Sequence, residues 1–419
     1  MKTSTHMKIK KLIQSAALLS FLTGGGLVAN ADSPLLQLGE NSSAYVFADA
    51  GLTWCDNIFY ASNGQHKVDD FVYFLAAGVV GDVGKDGSHH LNFSFKETFS
   101  NYVDNDDLNS QLANFSVSYS YDPQKKLRLG LFASFTQFAQ NDNVLQYDSG
   151  SPEYLRDLIR RDQYYVSADI NYQISSRVSA DIGFNYYNEH FRNHRDVFND
   201  RQTFSIPVSV FYQVTEKHHL GLSYSWSHTE ISRTSPYNNY DPGAQDSHFF
   251  GISTKGALTS KLTLRGNAGV GFQSFSGRGW LTTEGYYHIP NDAHSTANFT
   301  LVLDYSADKY RLALSSGRNF NLGGQAQSYT NTHVRLNATT YLSLHWYLSA
   351  YAAYYYQEYS KTAQHKGGDD NLVSAGINLS FLPNRYWRLG AGYTHIRDVS
   401  NRIRDFSSNS ITLSATLKY

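Results

Sequence analysis

The sequence is poor in cysteine, methionine, proline and charge, and each shortage excludes a class of protein. One cysteine, Cys55, in 419 residues rules out an intramolecular disulfide. Two methionines argue against an adaptable methionine-rich core, and eight prolines argue against a proline-rich linker array. Charged residues make up only 17% of the chain and the net charge is −1, which argues against a nucleic-acid partner because such partners require a clustered basic face.

Long apolar runs are confined to the N-terminal region. Three lysines at positions 8–11 precede the stretch LIQSAALLSFLTGGGLVA, and Ala29–Ala31 has the small-x-small pattern of a cleavage site. This pattern predicts a secretory signal peptide over residues 1–31. A transmembrane anchor is the weaker interpretation, because Gly24–Gly26 interrupt a run that is already short for spanning a bilayer. Cleavage after Ala31 removes four lysines and no acidic residue, which takes the net charge from −1 to −5.

Aromatic residues are plentiful, with 32 tyrosines and 25 phenylalanines, although the mean hydropathy is −0.43. Such a composition suits a sheet whose two faces meet different solvents. In LANFSVSYSY, Phe115, Val117 and Tyr119 alternate with serines, and this period of two predicts a β-strand. Comparable segments recur to the end of the chain, at residues 88–99, 112–121, 164–174, 204–214, 220–228, 262–274, 297–305, 310–319, 346–357, 373–381, 387–395 and 409–419.

The connections between these segments alternate in length. Short links such as GKDGS, DPQKK, SSR, TEKH, ADK and LPNR take turns with long polar stretches. Short turns on one rim and long loops on the other are typical of outer-membrane barrels. We therefore predict an all-β fold: a short periplasmic segment over residues 32–44 and a transmembrane antiparallel β-barrel of about 18 strands over residues 45–419. A secreted β-sandwich or propeller is the alternative, but the sequence shows no blade or hairpin repeat beyond the strand period.

The last strand ends in a pattern that is typical of recognition by an assembly machinery. NSITLSATLKY alternates Ile411, Leu413 and Leu417 with polar residues and ends on Tyr419. A terminal aromatic of this kind resembles the signal read by the barrel-assembly machinery, which we expect to be a partner. Aromatic residues near strand ends predict an interfacial girdle against outer-membrane lipid, and hence an outer-membrane location. They are Tyr119, Tyr121, Tyr164, Tyr212, Trp226, Trp346 and Trp387.

The segment AYVFADAGLTWCDNIFYASNGQHKVDDFVYFLAAGV contains Asp56, Asn57, Ile58 and Phe59, followed after a polar loop by Asp-Phe-Val-Tyr at residues 70–73. It resembles the start of the β-barrel porin 2 family of bacterial outer-membrane proteins, in which a first strand runs into an Asp-Asn-Ile-Phe element. The motif covers about the first tenth of the mature chain, and a cysteine precedes it where the family more often has a polar residue. The resemblance implies a barrel associated with exopolysaccharide, with a polysaccharide or oligosaccharide as partner. It implies no catalytic residue.

Residues opposite the apolar face are expected to point into the lumen, where most are serine, threonine or asparagine. Arg265, Arg311 and Arg335 fall on nearby strands and would set up a transverse field or a preference for anions. Alternatively, they pair with Asp304 and with the other inward carboxylates, because charge inside a lumen is often compensated. The candidate inward charges are Lys96, Arg128, Asp169, Asp181, Arg265, Asp304, Arg311, Arg335 and Arg388.

Aromatic side chains are also predicted inside the lumen. In WYLSAYAAYYYQEY, tyrosines occupy both faces of one strand, so one row of them must face the channel. Flat rings stack against sugar rings while their hydroxyls bond sugar hydroxyls, as a polysaccharide conduit requires. Equally, large side chains fill space and stiffen the wall. The candidates are Phe132, Tyr165, Tyr187, Phe211, Tyr347, Tyr351 and Tyr355.

One loop, SGSPEYLRDLIRRD, has the pattern of a helix. Ser151 is a good N-cap, Pro152 fits the first helical position and Glu153 suits the positive end of the helix dipole. Leu158 and Ile159 contribute to one apolar side. We expect a short helix in the loop over residues 151–162, which either constricts the mouth of the barrel or lies solvated on its surface.

Signals for catalysis are weak. His228, His248, His288 and His294 lie near long loops that also contain Asp241, Asp246 and Asp292, but polar loops give such a set by composition alone. We therefore predict no enzyme and no cofactor, and no spacing of ligands suggests a metal site. The predicted function is an outer-membrane channel for hydrophilic solutes, in the first place a polysaccharide-export-associated porin. A general diffusion porin, a rim-active hydrolase and an adhesive barrel are the alternatives.

Overall fold

The computed structural model describes residues 36–37, 41–64, 66–85, 87–123, 126–140, 158–193, 198–232, 240–241, 243–276, 279–282, 285–287, 294–322, 328–359, 368–401 and 405–419. Eighteen strands, each antiparallel to its neighbours, form one closed sheet. They are β1 Ser42–Cys55, β2 Asp70–Val83, β3 His89–Tyr102, β4 Ser110–Tyr121, β5 Leu127–Gln140, β6 Ile159–Gln173, β7 Val178–Phe191, β8 Asp200–Thr215, β9 His218–Ser232, β10 Ala244–Ala257, β11 Leu262–Phe275, β12 His294–Ser306, β13 Tyr310–Leu322, β14 Ser328–Tyr341, β15 Trp346–Tyr359, β16 Gly368–Phe381, β17 Trp387–Ser400 and β18 Phe406–Lys418.

The barrel closes where β1 pairs with β18. The register runs from Phe47 opposite Lys418 to Cys55 opposite Ser410. Beyond it, Val46 and Tyr419 exchange two backbone N–H···O bonds of 2.8 Å. The predicted antiparallel barrel and its count of strands are therefore confirmed.

The N-terminal residues meet the barrel at its periplasmic end. Strand β1 begins at Ser42, and the two-residue segment Leu36–Gln37 pairs with it, placing Leu36 opposite Ala44. The end of the predicted segment 32–44 therefore belongs to a strand. The predicted signal peptide over residues 1–31 lies outside the described residues.

Short periplasmic turns are set by their own side chains. The Ser175 hydroxyl accepts a hydrogen bond from the Val178 N–H at 3.1 Å, and the Asn384 carboxamide accepts one from the Trp387 N–H at 3.0 Å. Serine, threonine and asparagine favour turns because they mimic a backbone acceptor in this way. These contacts reverse the chain within a few residues and keep adjacent strands in register.

The exterior of the barrel is an apolar band. Leu222 is 72% exposed and Ile252 is 62% exposed, as expected of side chains that contact lipid rather than water. Near the periplasmic rim, the ring of Trp346 stacks on Phe381 with centroids 4.6 Å apart. Aromatic rings concentrate at membrane–water interfaces, so this end has the girdle that the sequence predicts. A closed barrel with such an exterior places the protein in the outer membrane.

Helical structure among the described residues is one 3-10 turn, Asp106–Leu108. No helix in that part of the chain is long and apolar enough to cross a membrane. The predicted helix over residues 151–162 is wrong at its C-terminal end, because Ile159–Gln173 is a barrel strand, while residues 151–157 lie outside the described part. Leu158 and Ile159, which suggested a helix face, are buried at the mouth of the barrel instead.

Candidate functional site

The inner wall of the barrel is polar because side chains alternate between its two faces. Its small polar residues hydrogen-bond across strands: the Ser94 and Ser116 hydroxyls lie 2.7 Å apart, and the Thr300 hydroxyl donates to the Asn267 carboxamide at 2.8 Å. Inside the wall is a cavity of about 1770 Å³, lined by residues of β5 to β18. It extends from Arg161 near the extracellular end to Asn384 in a periplasmic turn.

Several predicted inward charges form ion pairs. Arg265 Nη2 lies 3.1 Å from Asp304 Oδ2, and Lys96 Nζ lies 3.0 Å from Asp49 Oδ2. Arg128 pairs at 3.1 Å with Asp122, at the periplasmic end of β5. The charge of Arg265 is therefore compensated by Asp304, which is the second of the two interpretations that the sequence allowed for this arginine.

Asp181 pairs with a residue that sequence reasoning missed. Lys255 Nζ lies 2.7 Å from Asp181 Oδ2 and 3.9 Å from the centre of the Phe211 ring. The lysine sits on β10 and the carboxylate on β7, so the side chain crosses β8 and β9 on the inside of the curved wall. Strand alternation places Lys255 inside, but only the closed barrel brings it to this partner.

Arg311 and Arg388 line the cavity and form no ion pair with a described residue. Arg388 Nη1 instead donates to the Tyr347 hydroxyl at 3.4 Å. The Arg335 guanidinium lies over the Tyr351 ring, 5.1 Å from its centroid. On the opposite side of the barrel, Asp169 lies over a glycine of β5 and also lines the cavity. The lumen therefore has a basic side on β13 to β17.

Five of the seven candidate aromatic residues line the cavity, and the other two, Phe132 and Tyr355, pack against neighbouring rings. Tyr347 and Tyr351 line the cavity, as do three others, Tyr165, Tyr187 and Phe211. Phe132 packs on Tyr165 with ring centroids 5.9 Å apart.

Tyr355, the third tyrosine of the row on β15, is only 7% exposed. It clusters with Leu372 and Phe406 and stacks on His333 with centroids 6.1 Å apart. Two tyrosines of this row therefore line the cavity, whereas Tyr355 packs against its neighbours near the extracellular end of the barrel.

A buried ion triad near the extracellular end was not foreseen from the sequence. Glu189 is 1% exposed and receives Arg161 Nη1 at 3.2 Å and Arg201 Nε at 2.8 Å. Gln163 Nε2 donates to the same carboxylate at 2.8 Å. The signal in the sequence is three inward charges on β6, β7 and β8, but their register becomes known only when the strands are paired.

The motif that carries the family resemblance joins the first extracellular loop to the last strand. Asp56 accepts hydrogen bonds from the backbone N–H and the side-chain amide of Asn409, both at 2.6 Å. The Asn57 side chain is fully buried; its amide donates to the carbonyls of Ala61 at 2.9 Å and Ser407 at 3.0 Å. We call residues 56–69 the first loop and these contacts the seam latch, because they continue the β1–β18 junction.

The same loop fills part of the extracellular mouth. Ile58 is buried against Leu108 and Leu158, which belong to the connections after β3 and β5. Two residues further on, the Tyr60 ring lies 5.0 Å from that of Phe406, on the other side of the junction. The first loop therefore packs across part of the extracellular mouth, against Leu158 at the described end of the loop over residues 151–162.

Of the four histidines near the long loops, His228 lies between two carboxylates, and His288 lies outside the described residues. His228 Nδ1 lies 2.9 Å from Asp246 and Nε2 lies 3.5 Å from Glu230, on the lipid-facing side of β9. In a Ser-His-Asp arrangement only one ring nitrogen faces a carboxylate and the other faces the nucleophile. In this protein, a carboxylate faces each of the two ring nitrogens of His228. Nor do the described residues bring together three His, Cys, Asp or Glu side chains that could hold a metal.

Comparison of the sequence with protein-family profiles and with curated proteins finds no match. The resemblance to the β-barrel porin 2 family therefore stays a prediction.

Several solved structures are similar to this chain at low identity. The outer membrane protein OpdK of Pseudomonas aeruginosa is 11% identical with a TM-score of 0.44, over 90% of this chain and 99% of that one. OccAB4 of Acinetobacter baumannii is 11% identical with a TM-score of 0.43, over 91% and 100%. OpdL of P. aeruginosa is 12% identical with a TM-score of 0.42, over 90% and 99%. Similarity at this level carries no inference about the solute or mechanism of this protein.

Proposed function

We propose that this protein is an outer-membrane channel for hydrophilic solutes. The observation that carries the proposal is the cavity of about 1770 Å³ inside a closed barrel, with a polar wall that reaches the periplasmic turns. Barrels of 16 to 18 strands are wide enough for an aqueous channel. Polar groups such as the Ser349 hydroxyl on the inner wall are costly to bury without partners, and an aqueous lumen would offer water as their partner.

Polysaccharide export is the use that we propose for this channel. Tyr347 and Tyr351 support it, because rings on a polar wall offer both stacking and hydrogen bonding to sugars. A general diffusion porin needs no such residues. The two uses differ in what a saccharide does to the ion current: a bound saccharide interrupts it, whereas a freely diffusing one of the same size lowers it only slightly.

Single-channel conductance in a planar bilayer tests the proposal. We expect discrete conductance steps for the refolded full chain, with resolved current blocks on adding oligosaccharide. Steps without blocks would favour general diffusion. A barrel that folds, as judged by heat-modifiable mobility on SDS gels, but gives no conductance would contradict the channel itself. Replacing Tyr347 and Tyr351 by alanine should shorten the blocks, while alanine at the lipid-facing Tyr354 should not.

A further inference from the structure

The lumen wall between β15 and β18 has a recess with a floor of small residues. Ser349, Asn378, Gly392 and Thr412 are cross-strand partners in a single register row. All four line the cavity, and none carries a side chain larger than that of asparagine. The Asn378 carboxamide lies close over Gly392, since a Cβ at Gly392 would come within 3.2 Å of Asn378 Oδ1, and glycine is the residue that lets this carboxamide lie on the floor.

Two tyrosines bound this recess along β15. Tyr347 and Tyr351 flank Ser349 at two residues on either side, so all three point into the lumen. Because a strand rises about 3.3 Å per residue, the two tyrosine positions are about 13 Å apart, which fits two linked sugar rings. Tyr351 is held in place by a glycine under its ring at position 376 and by a 3.1 Å contact between its hydroxyl and that of Ser374.

Three arginines surround the same recess. Arg388 reaches the Tyr347 hydroxyl at 3.4 Å, and Arg335 lies over the Tyr351 ring at 5.1 Å. Arg311 lies in the row of the floor, since it is opposite Thr339, which in turn is opposite Ser349. Along the barrel axis, Arg335 lies on the extracellular side of the floor and Arg388 on its periplasmic side, while Arg311 lies beside the floor.

Arg311 and Arg388 form no ion pair with a described residue. On the described parts of β13 to β18, the inward carboxylates are Asp370 and Asp398, and both are buried near the extracellular end. Asp304 on the adjacent β12 is occupied by Arg265 at 3.1 Å. The recess is thus positively charged, lined by aromatic rings and provided with hydroxyl and carboxamide groups.

We propose that this recess binds an acidic saccharide, a chain of uronate sugars. The tyrosines hold the sugar rings over the floor, where the carboxamide of Asn378 and the hydroxyls of Ser349 and Thr412 bond sugar hydroxyls. Arginine forks bind the carboxylates of successive sugars, because a planar guanidinium matches a carboxylate in geometry and charge. This inference rests on the proposed function in that it names the class of solute which the channel carries.

Isothermal titration in detergent tests the site without requiring conductance. We expect the folded full chain to bind tri-galacturonate at least tenfold more tightly than neutral maltotriose, because each charge-assisted bond contributes roughly one decade of affinity. Arg388→Gln and Arg335→Gln should each weaken tri-galacturonate binding by about tenfold. Gly392→Leu should fill the recess and weaken both ligands.

Arg128→Gln is the matched control. It removes one inward positive charge on the far side of the barrel, where Arg128 is half-exposed and paired with Asp122. It should leave the affinity for tri-galacturonate unchanged.

Three results would overturn the inference: equal affinity for the two trisaccharides, equal weakening by the control, or displacement of tri-galacturonate by equimolar inorganic phosphate. Binding in detergent by a barrel that shows no conductance would refute the channel but keep the site. Conductance without binding would refute the site but keep the channel. If Gly392→Leu does not fold, the Arg388→Gln and Arg335→Gln variants still test the proposed site.

Discussion

The Asp56 carboxylate accepts two hydrogen bonds of 2.6 Å from Asn409, one from its backbone N–H and one from its side-chain amide. The residues are 353 positions apart in the chain and meet only because the first and last strands close the barrel. The contact fixes the first loop at the junction of β1 and β18.

Removing this contact should destabilise the barrel. Asp56→Ala should lower the free energy of unfolding by about 2 kcal/mol, because hydrogen bonds to a charged group each contribute more than neutral ones. Urea titration in lipid vesicles, followed by tryptophan fluorescence, measures the change. Asp69→Ala is the control, since Asp69 is an exposed residue of the same loop, and it should change stability by less than about 0.5 kcal/mol.

The single cysteine reports on the same loop. Cys55 Sγ lies 3.3 Å from the Ser408 hydroxyl and packs beside the cluster of Ile58 and Leu108. A maleimide should therefore react slowly with the intact barrel and at least tenfold faster with Asp56→Ala, because local opening exposes the thiol. Mass spectrometry of timed samples gives both rates. Equal rates in the two proteins would show that the latch does not hold the loop in place.

The buried triad predicts a large effect from a small change. Glu189→Gln removes the negative charge that Arg161 and Arg201 share in a buried site, which should cost about 3–5 kcal/mol of stability. Glu358→Gln provides the comparison, since Glu358 is exposed and lies 3.5 Å from Arg318. It should cost less than about 1 kcal/mol. Similar losses in the two variants would mean that burial does not set the strength of the triad.

Ion selectivity should depend on the basic side of the lumen. Arg311→Gln should raise the ratio of potassium to chloride permeability by about two- to fivefold, since a unit charge at about 4 Å in water contributes about 1 kcal/mol. The reversal potential in a KCl gradient measures this ratio. Because salt screens charges beyond about 10 Å at 0.1 M, the shift should shrink at 1 M salt. A ratio that does not change at low salt would place the narrowest part of the conduction path elsewhere.

The periplasmic girdle can be tested at one stacked pair. Trp346→Ala removes the ring that stacks on Phe381 at 4.6 Å, and it should lower the stability in vesicles by about 1–2 kcal/mol. Leu344→Ala in the adjacent turn serves as control, because Leu344 is 96% exposed and should contribute little. Refolding yields across a urea series give both values.

The sequence alone predicted the architecture because alternation is a local property. Each strand shows its apolar and polar faces within about ten residues, and the short turns between strands are equally local. The eighteen strands, the antiparallel order and the inward position of residues such as Tyr351 and Arg311 follow from that pattern. The helix predicted over residues 151–162 is wrong from Ile159 onward, where apolar spacing competed with strand pairing and the pairing with β5 prevailed.

Only the tertiary structure decided which inward residues meet. Register and closure bring Lys255 across two strands to Asp181, join Arg161 and Arg201 at Glu189, and place Asp56 against Asn409. These contacts do not follow from the alternation within any one strand, because the partners lie on different strands or at the two ends of the sheet. The sequence by itself determined that there is a polar lumen. The pairing of the strands determined where its charges are compensated and where, around Tyr347 and Tyr351, the wall keeps a basic recess.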